Sequence, residues 1–346
     1  MTANDDDESC DAFDNLPDEI IIDIFKYLPL ESLLDCEGVC FRWKKLVRDA
    51  SVWRRILIVY SGKPGQSEVS EKNLEIIKTH SEFVYRLKLQ YVYSYQLVQS
   101  VLEKCDNLVS LELVMCRIGK EFEEDVKRWP HLKKLNLKNS LLLDSSIDMT
   151  IQYDQFKELH YLALCDFGLS SINCNSLLNC KNLSHILIEK IRNLTLEFIA
   201  ELILSKQNIL ETFHIYGGDA IDDNSLKILS ECRLLKDLAI IRCENLTDQG
   251  LVHLTKLDRL EHLQIWNNNN FTEANLLKTL SSNNLVKLRS LSLSRIGNVS
   301  PVIVDVISEY YKILKFLAVY QCPRIINTDY EKQLKSKFRN IDVVLY

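Results

Sequence analysis

The sequence predicts a mixed α/β chain: a short all-helical unit, then a solenoid with a curved parallel sheet on its concave side and helices on its convex side. Three observations carry this. An apolar motif, L-x-x-L-x-L with Ile, Val or Phe allowed, recurs through most of the 346 residues. Stretches with helical apolar spacing lie between its copies. Ahead of the first copy stands a segment far too apolar for an ordinary surface helix.

The copies begin at 84, 108, 132, 159, 183, 210, 235, 260, 288, 314 and, more weakly, 338. Leu108, Leu111, Leu113 and Leu260, Leu263, Ile265 are typical. The gaps run from 24 to 28 residues, inside the window of about 20–29 that marks leucine-rich repeats. The period-2 pair within each copy, such as Leu111 and Leu113, marks a strand. Residues 96–102 have helical spacing, Leu97 with Val101 and Val98 with Leu102. Residues 84–346 therefore read as a leucine-rich-repeat solenoid, and 59–83 as a connector or an irregular first repeat.

The run Cys243-Glu244-Asn245-Leu246-Thr247-Asp248-Gln249-Gly250-Leu251 resembles the cysteine-containing class of these repeats. The class implies that the Cys fills a tight corner after the strand. Thr or Asp then caps the next helix by accepting from its free N–H groups. Cys116, Cys243 and Cys322 occupy matching corners. No His or basic cluster is tied to them in sequence, so they read as buried structural thiols rather than nucleophiles.

Composition sets bounds on function. Apolar residues are 47% and charged residues 26%, an ordinary globular balance. The net charge of −6 argues against nucleic acid as a partner. Eleven cysteines, an odd number with no C-x-x-C pair, argue against a secreted disulfide framework. They favour a reducing compartment, cytoplasm and/or nucleus. Residues 1–12, with Asp5, Asp6, Asp7, Glu8 and Asp11, read as an acidic disordered tail and lack the basic start and apolar run of a signal peptide. The Asn-x-Ser/Thr sequons at Asn182, Asn193, Asn245, Asn270 and Asn298 are accordingly expected to be incidental. No apolar run of about 18 residues marks a membrane span. Phosphate-loop, dinucleotide, zinc-protease and nucleophile-elbow motifs are missing, so no catalytic residue, cofactor or metal is expected.

The segment before the repeats carries the sharper signal. With Asp18 to Leu28 as a helix at about 100° per residue, Glu19, Asp23 and Lys26 fall in one narrow sector. Ile20, Ile21, Ile22, Ile24, Phe25, Tyr27 and Leu28 spread over roughly 220° of the wheel, about twice the stripe of a surface helix. Such a helix buries two faces. Its own unit, interrupted at Pro29 and near Cys36, is too small to cover both. Either a partner chain covers the second face or the repeat array does.

Leu16-Pro17-Asp18-Glu19, then Ile24, Leu28, Leu33-Leu34, Val39-Cys40, Trp43 and Trp53 resemble the F-box motif in order and spacing. Gly38 stands where Ser is more usual. On this resemblance residues 13–58 are an F-box, and the whole chain is similar to F-box/leucine-rich-repeat proteins. The resemblance implies docking on a Skp adaptor and, through it, on a cullin-RING ligase core. The repeats would then hold an unidentified protein substrate for ubiquitination, and the chain itself would do no chemistry. An F-box/repeat scaffold without ligase function is the alternative. By motif match Leu16, Pro17, Ile20, Ile24, Leu28, Val39, Cys40 and Trp43 are the candidate adaptor contacts, with Val39 and Trp43 also candidates for the core of the unit.

Residues between the strand leucines face the concave side. The early ones are basic: Arg86, Lys88, Lys134 and Lys138, with Glu112 among them, a patch suited to an acidic or phosphorylated ligand. The later ones are Tyr161, His185, His214, Tyr216, His262, Trp266, Phe316 and Tyr320. Their composition is that of interaction hot spots, and they are the candidate substrate contacts.

Overall fold

The computed structural model describes residues 13, 15–63, 67–143, 149–165, 168–218, 221–281, 285–338 and 341–344. The acidic tail, 1–12, lies outside them. Four short helices come first: α1 Asp18–Phe25, α2 Leu30–Glu37, α3 Phe41–Val47 and α4 Ala50–Trp53. Pro17 and Pro29 stand at the N-caps of α1 and α2, where a missing N–H costs nothing. α1 ends at Phe25, three residues short of the expected Leu28, because the chain must turn before Pro29.

The strands are β1 Leu57–Ser61, β2 Arg86–Gln90, β3 Ser110–Val114, β4 Arg117–Ile118, β5 Lys134–Asn136, β6 Leu141–Leu142 and β7 Tyr161–Cys165. They continue as β8 His185–Glu189, β9 Thr212–Gly218, β10 Asp237–Cys243, β11 His262–Trp266, β12 Ser290–Ser294, β13 Phe316–Ala318 and β14 Asp342–Val344. Among the described residues twelve of them form one sheet in chain order, and β4 and β6 pair separately. Every pairing is parallel, and the register stacks like on like: Leu87 on Leu111, Leu111 on Leu135, Leu238 on Leu263, Leu263 on Leu291. Parallel neighbours need a crossover between them, and here that crossover is the rest of each repeat. β1 is a strand that the motif count did not reach. It pairs with β2, Leu57 opposite Arg86, and helix α5, Ser67–Thr79, follows it in the segment expected as a connector or an irregular first repeat.

Helix starts are set by side chains. Ser94, Thr195, Asp222 and Thr272 each accept a hydrogen bond from the N–H three residues on. Thr247 accepts from Gln249 and so opens its helix as the cysteine-type repeat implies. Cys116, Cys243 and Cys322 are fully buried. The Cys116 and Cys322 thiols donate to the carbonyls of Leu89 and Leu293 in the repeat before. Burial pushes Cys243 and Cys105 up to about 12 and Cys116 up to about 11. These groups stay thiols at neutral pH and fill space rather than attack.

One apolar core runs from Ile21 in α1 to Phe338, so the helical unit and the solenoid share an interior. Trp53 is the hinge of that continuity. Its indole N–H donates to Val47 O at 2.8 Å, and its ring stacks on His80 at 5.4 Å and on Phe83 at 5.5 Å. Glu37 of α2 holds His80 at 3.2 Å and Arg48 at 3.2 Å.

Candidate functional site

In α1, Ile21 and Phe25 point inward and are buried, while Pro17, Ile20, Ile24 and Tyr27 lie on the outward side. Ile20 and Ile24, four apart, share one side of the helix, with Pro17 at its N-cap and Tyr27 in the turn just after it. Tyr27 is 81% exposed, and beside the start of α3 Val39 is 60% and Phe41 86% exposed. The repeat array covers none of these. Of the two ways to cover the second face of α1, burial against the repeats is therefore ruled out.

Arg42 fixes α3 against α1. Its guanidinium donates to Asp18 Oδ1 at 2.7 Å and to Leu16 O at 2.5 Å. Cys40 is exposed and serves as the N-cap of α3, its Sγ accepting from Trp43 N at 3.4 Å. Trp43 itself turns inward. Its ring meets Phe13 and Phe25 edge-on, each at 5.3 Å. Leu16 and Leu28 are half-buried against the core. The structure thus gathers Pro17, Ile20, Ile24, Val39 and Cys40 on the surface and gives Leu16, Leu28 and Trp43 a share in packing. Sequence reasoning passed over Tyr27 and Phe41. Tyr27 was legible as the next step of the Ile20, Ile24 stripe; Phe41 sits at an unspecified place in the V-C-x-x-W core, where the motif gives no signal.

Residues 13–59 match the F-box-like family. The helical unit is an F-box-like domain. Over 54 residues the chain is 42% identical to F-box/LRR-repeat protein 12 of Bos taurus, an alignment covering 15% of this chain and 17% of that protein. It is 25% identical over 214 residues to F-box protein SKIP19 of Arabidopsis thaliana, covering 52% of this chain and 70% of that protein. A solved chain of the yeast Rad7 and Elc1 complex superposes with a TM-score of 0.56 at 15% identity, over 94% of this chain and 92% of that one. That likeness speaks to the fold, an F-box-like domain followed by a leucine-rich-repeat solenoid. No helix among the described residues is long and apolar enough to cross a membrane.

Behind the F-box the early concave surface is less basic than its composition. Lys134 pairs with Glu112 at 2.7 Å and lies 4.8 Å from the Tyr161 ring centroid. Asn136 donates to the other Glu112 oxygen at 3.2 Å. Arg86 reaches the Arg55 carbonyl at 3.5 Å. Lys88 and Lys138 have no side-chain partner among the described residues, and Lys138 lines a groove farther along the wall.

That groove measures about 440 Å³. Its floor is Ala163, Leu187, Ala239 and Ile241, and Tyr216 and Trp266 wall it. The floor exists because the middle outward position of β7 and β10 is alanine. Trp266 is 38% exposed, and its indole N–H donates to Ser292 Oγ at 2.5 Å, which fixes the ring. His214 lies at the edge of the groove with Nε2 2.9 Å from Asp237 Oδ1. Tyr161, His185, His262, Phe316 and Tyr320 lie on the same wall outside the groove. His185 Nδ1 is hydrogen-bonded to Thr212 Oγ1 at 2.9 Å, and burial holds its imidazole below the usual range. The alanines that open the groove carry no signal by residue type and become visible only when the strands are laid in register.

Proposed function

We propose that the chain is the substrate-receptor subunit of an SCF-type ubiquitin ligase in the cytoplasm or nucleus. The observation that carries this is the second apolar face of α1, left uncovered in a domain that matches the F-box family. Pro17, Ile20, Ile24, Tyr27, Val39 and Phe41 form the face for a Skp-type adaptor. The association named for the yeast Rad7 and Elc1 complex is in keeping with an adaptor-bound assembly. The concave groove holds the protein substrate. The receptor works by proximity: it raises the effective concentration of a substrate lysine near the ubiquitin thioester and supplies no acid, base or nucleophile.

The test is co-purification. Because Ile20 and Ile24 are exposed, Ile20→Asp with Ile24→Asp leaves the fold intact. Two apolar side chains at about 1.5–3 kcal/mol each convert to at least about a hundred-fold loss of adaptor affinity. Equal recovery of adaptor by the variant would overturn the assignment of the face. An adaptor complex that recruits no cullin would overturn the ligase reading.

A further inference from the structure

The two lips of the sheet hold their cations differently. At the lip where strands begin, Lys133 pairs with Glu158 at 2.9 Å, Lys236 with Glu211 at 2.6 Å and Arg289 with Glu261 at 3.1 Å. Each pair bridges neighbouring repeats and spends its charge internally. At the lip where strands end, Lys190, Arg242 and Arg295 have no carboxylate partner among the described residues. Aromatic faces and neutral groups hold them instead. Lys190 and Arg242 flank Tyr216, at 5.7 and 6.0 Å from its ring centroid, and Arg295 lies 5.7 Å from that of Tyr320. Arg242 also donates to the Tyr216 hydroxyl at 3.2 Å, and Arg295 to Gln321 Oε1 at 2.7 Å. A π face orients a cation without neutralising it, so these charges are placed and still available. Glu189 and Glu244 flank them in sequence, and among the described residues of this lip Lys138, Lys190, Arg242 and Arg295 outnumber these two carboxylates.

The spacing is regular. Lys190 and Arg295 directly follow β8 and β12, and Arg242, the last residue but one of β10, stands at the same step of the register, so the three are two strands apart each time. At about 4.8 Å between strands, that is roughly 10 Å from one cation to the next. A peptide in the polyproline-II conformation has three residues per turn and rises about 3.1 Å per residue, so every third side chain returns to the same face at close to the spacing of the cations. Between the cations stand Tyr216 and Trp266, with Tyr320 beyond the last. An anion on this lip therefore meets charge and apolar surface alternately.

We propose that the strand-end lip beside the groove takes an acidic peptide segment in the polyproline-II conformation, with carboxylates at every third residue set against Lys190, Arg242 and Arg295 and the intervening side chains packed on Tyr216, Trp266 and Tyr320. This rests on the substrate-receptor reading and names the class of segment it selects. The probe is a fluorescein-labelled peptide of three Glu-Val-Thr triplets, titrated by anisotropy with the full chain, beside a Lys-Val-Thr counterpart. The acidic peptide binds, and binding falls as salt screens the charges. Arg242→Glu with Arg295→Glu weakens it at least tenfold and gains affinity for the lysine peptide; the neutral pair Arg242→Gln with Arg295→Gln loses the first without gaining the second. Equal binding of both peptides by the unmutated chain, or undiminished acidic-peptide binding by the Glu variant, overturns the proposal. So does tighter binding of a uridine oligonucleotide, which would assign the lip to nucleic acid. Adaptor capture, measured on the same samples, separates the two readings: its loss with peptide binding intact counts against the ligase role, and the reverse counts against the acidic segment.

Discussion

Tyr91, Met115, Asn139, Lys190, Arg242, Asn267, Arg295 and Gln321 all take φ between 49° and 57° at the same step of successive repeats. The left-handed region costs an L-residue roughly 1–2 kcal/mol. That side chains as different as Tyr, Met and Arg accept it means the solenoid imposes the turn and residue type does not choose it. For that reason the row was invisible in the sequence, although it aims Lys190, Arg242 and Arg295 over the lip. Gly217 occupies the equivalent step with φ 102°, and a Cβ there would meet no atom within 4 Å. Gly217→Ala therefore isolates the backbone term. The expected loss is about 1–2 kcal/mol, read as a lower urea midpoint with unchanged slope; an unchanged midpoint would show that the turn is not strained. Other residues hid their roles in the opposite way. Lys206, a residue type that usually keeps its charge in water, is buried on a helix with Nζ donating to Leu178 O at 2.8 Å, and burial lowers its pKa. The amides of Asn182, Asn270 and Asn298 donate to Lys157 O, Glu244 O and Phe271 O of the preceding repeats. Those three sequon asparagines are rungs between repeats.

At the scale of elements, α1 shows what periodicity resolves and what it leaves open. The breadth of its apolar sector was legible. Its division into an inward Ile21, Phe25 side and an outward Ile20, Ile24, Tyr27 side depends on where α3 and α4 pack, which no local pattern encodes. The repeat motif placed the strands of the main sheet from β2 onward because leucines recur in phase, and left out β4 and β6, which pair apart from it; β1 escaped because Arg55 stands where the register puts the counterpart of Val84, so the motif loses its first apolar position. Trp43 tests the packing within the F-box. Its edge-on contacts with Phe13 and Phe25 make it the brace between α1 and α3, and such aromatic pairs add about 0.5–1.5 kcal/mol each to area burial. Trp43→Ala is expected to destabilise the F-box by about 2–3 kcal/mol, less than the cost of a fully buried Trp. Trp43→Phe is expected to keep most of that stability. Hydrogen exchange in α1 and α3 is the measurement. If the Ala variant protects these amides as the unmutated chain does, Trp43 is a contact residue and not a brace.

At the scale of the whole molecule, the continuous core couples units that are individually weak. A repeat buries its apolar face only against its neighbours, and the F-box shares its interior with the first repeat through Trp53, His80 and Glu37. Stability should therefore depend on the far end of the array as well as on the F-box. The segment 314–346 supplies β13 and β14, and it buries Leu317, Val319, Cys322, Ile325, Leu334 and Phe338 over the layer of β12. Its removal bares Leu291 and Leu293, now fully buried, and leaves the N–H and C=O groups of Ser290–Ser294 as an open edge, a template for pairing with another chain. A chain ending at 313 is expected to bind a hydrophobic dye, to self-associate and to lose the single cooperative melt of the full chain, with protection failing first in β11 and β12 and persisting in the F-box. If the truncated chain stays monomeric and melts in one transition at the same temperature, nearest-neighbour coupling does not carry the stability of the array, and each repeat must hold its fold by local contacts alone.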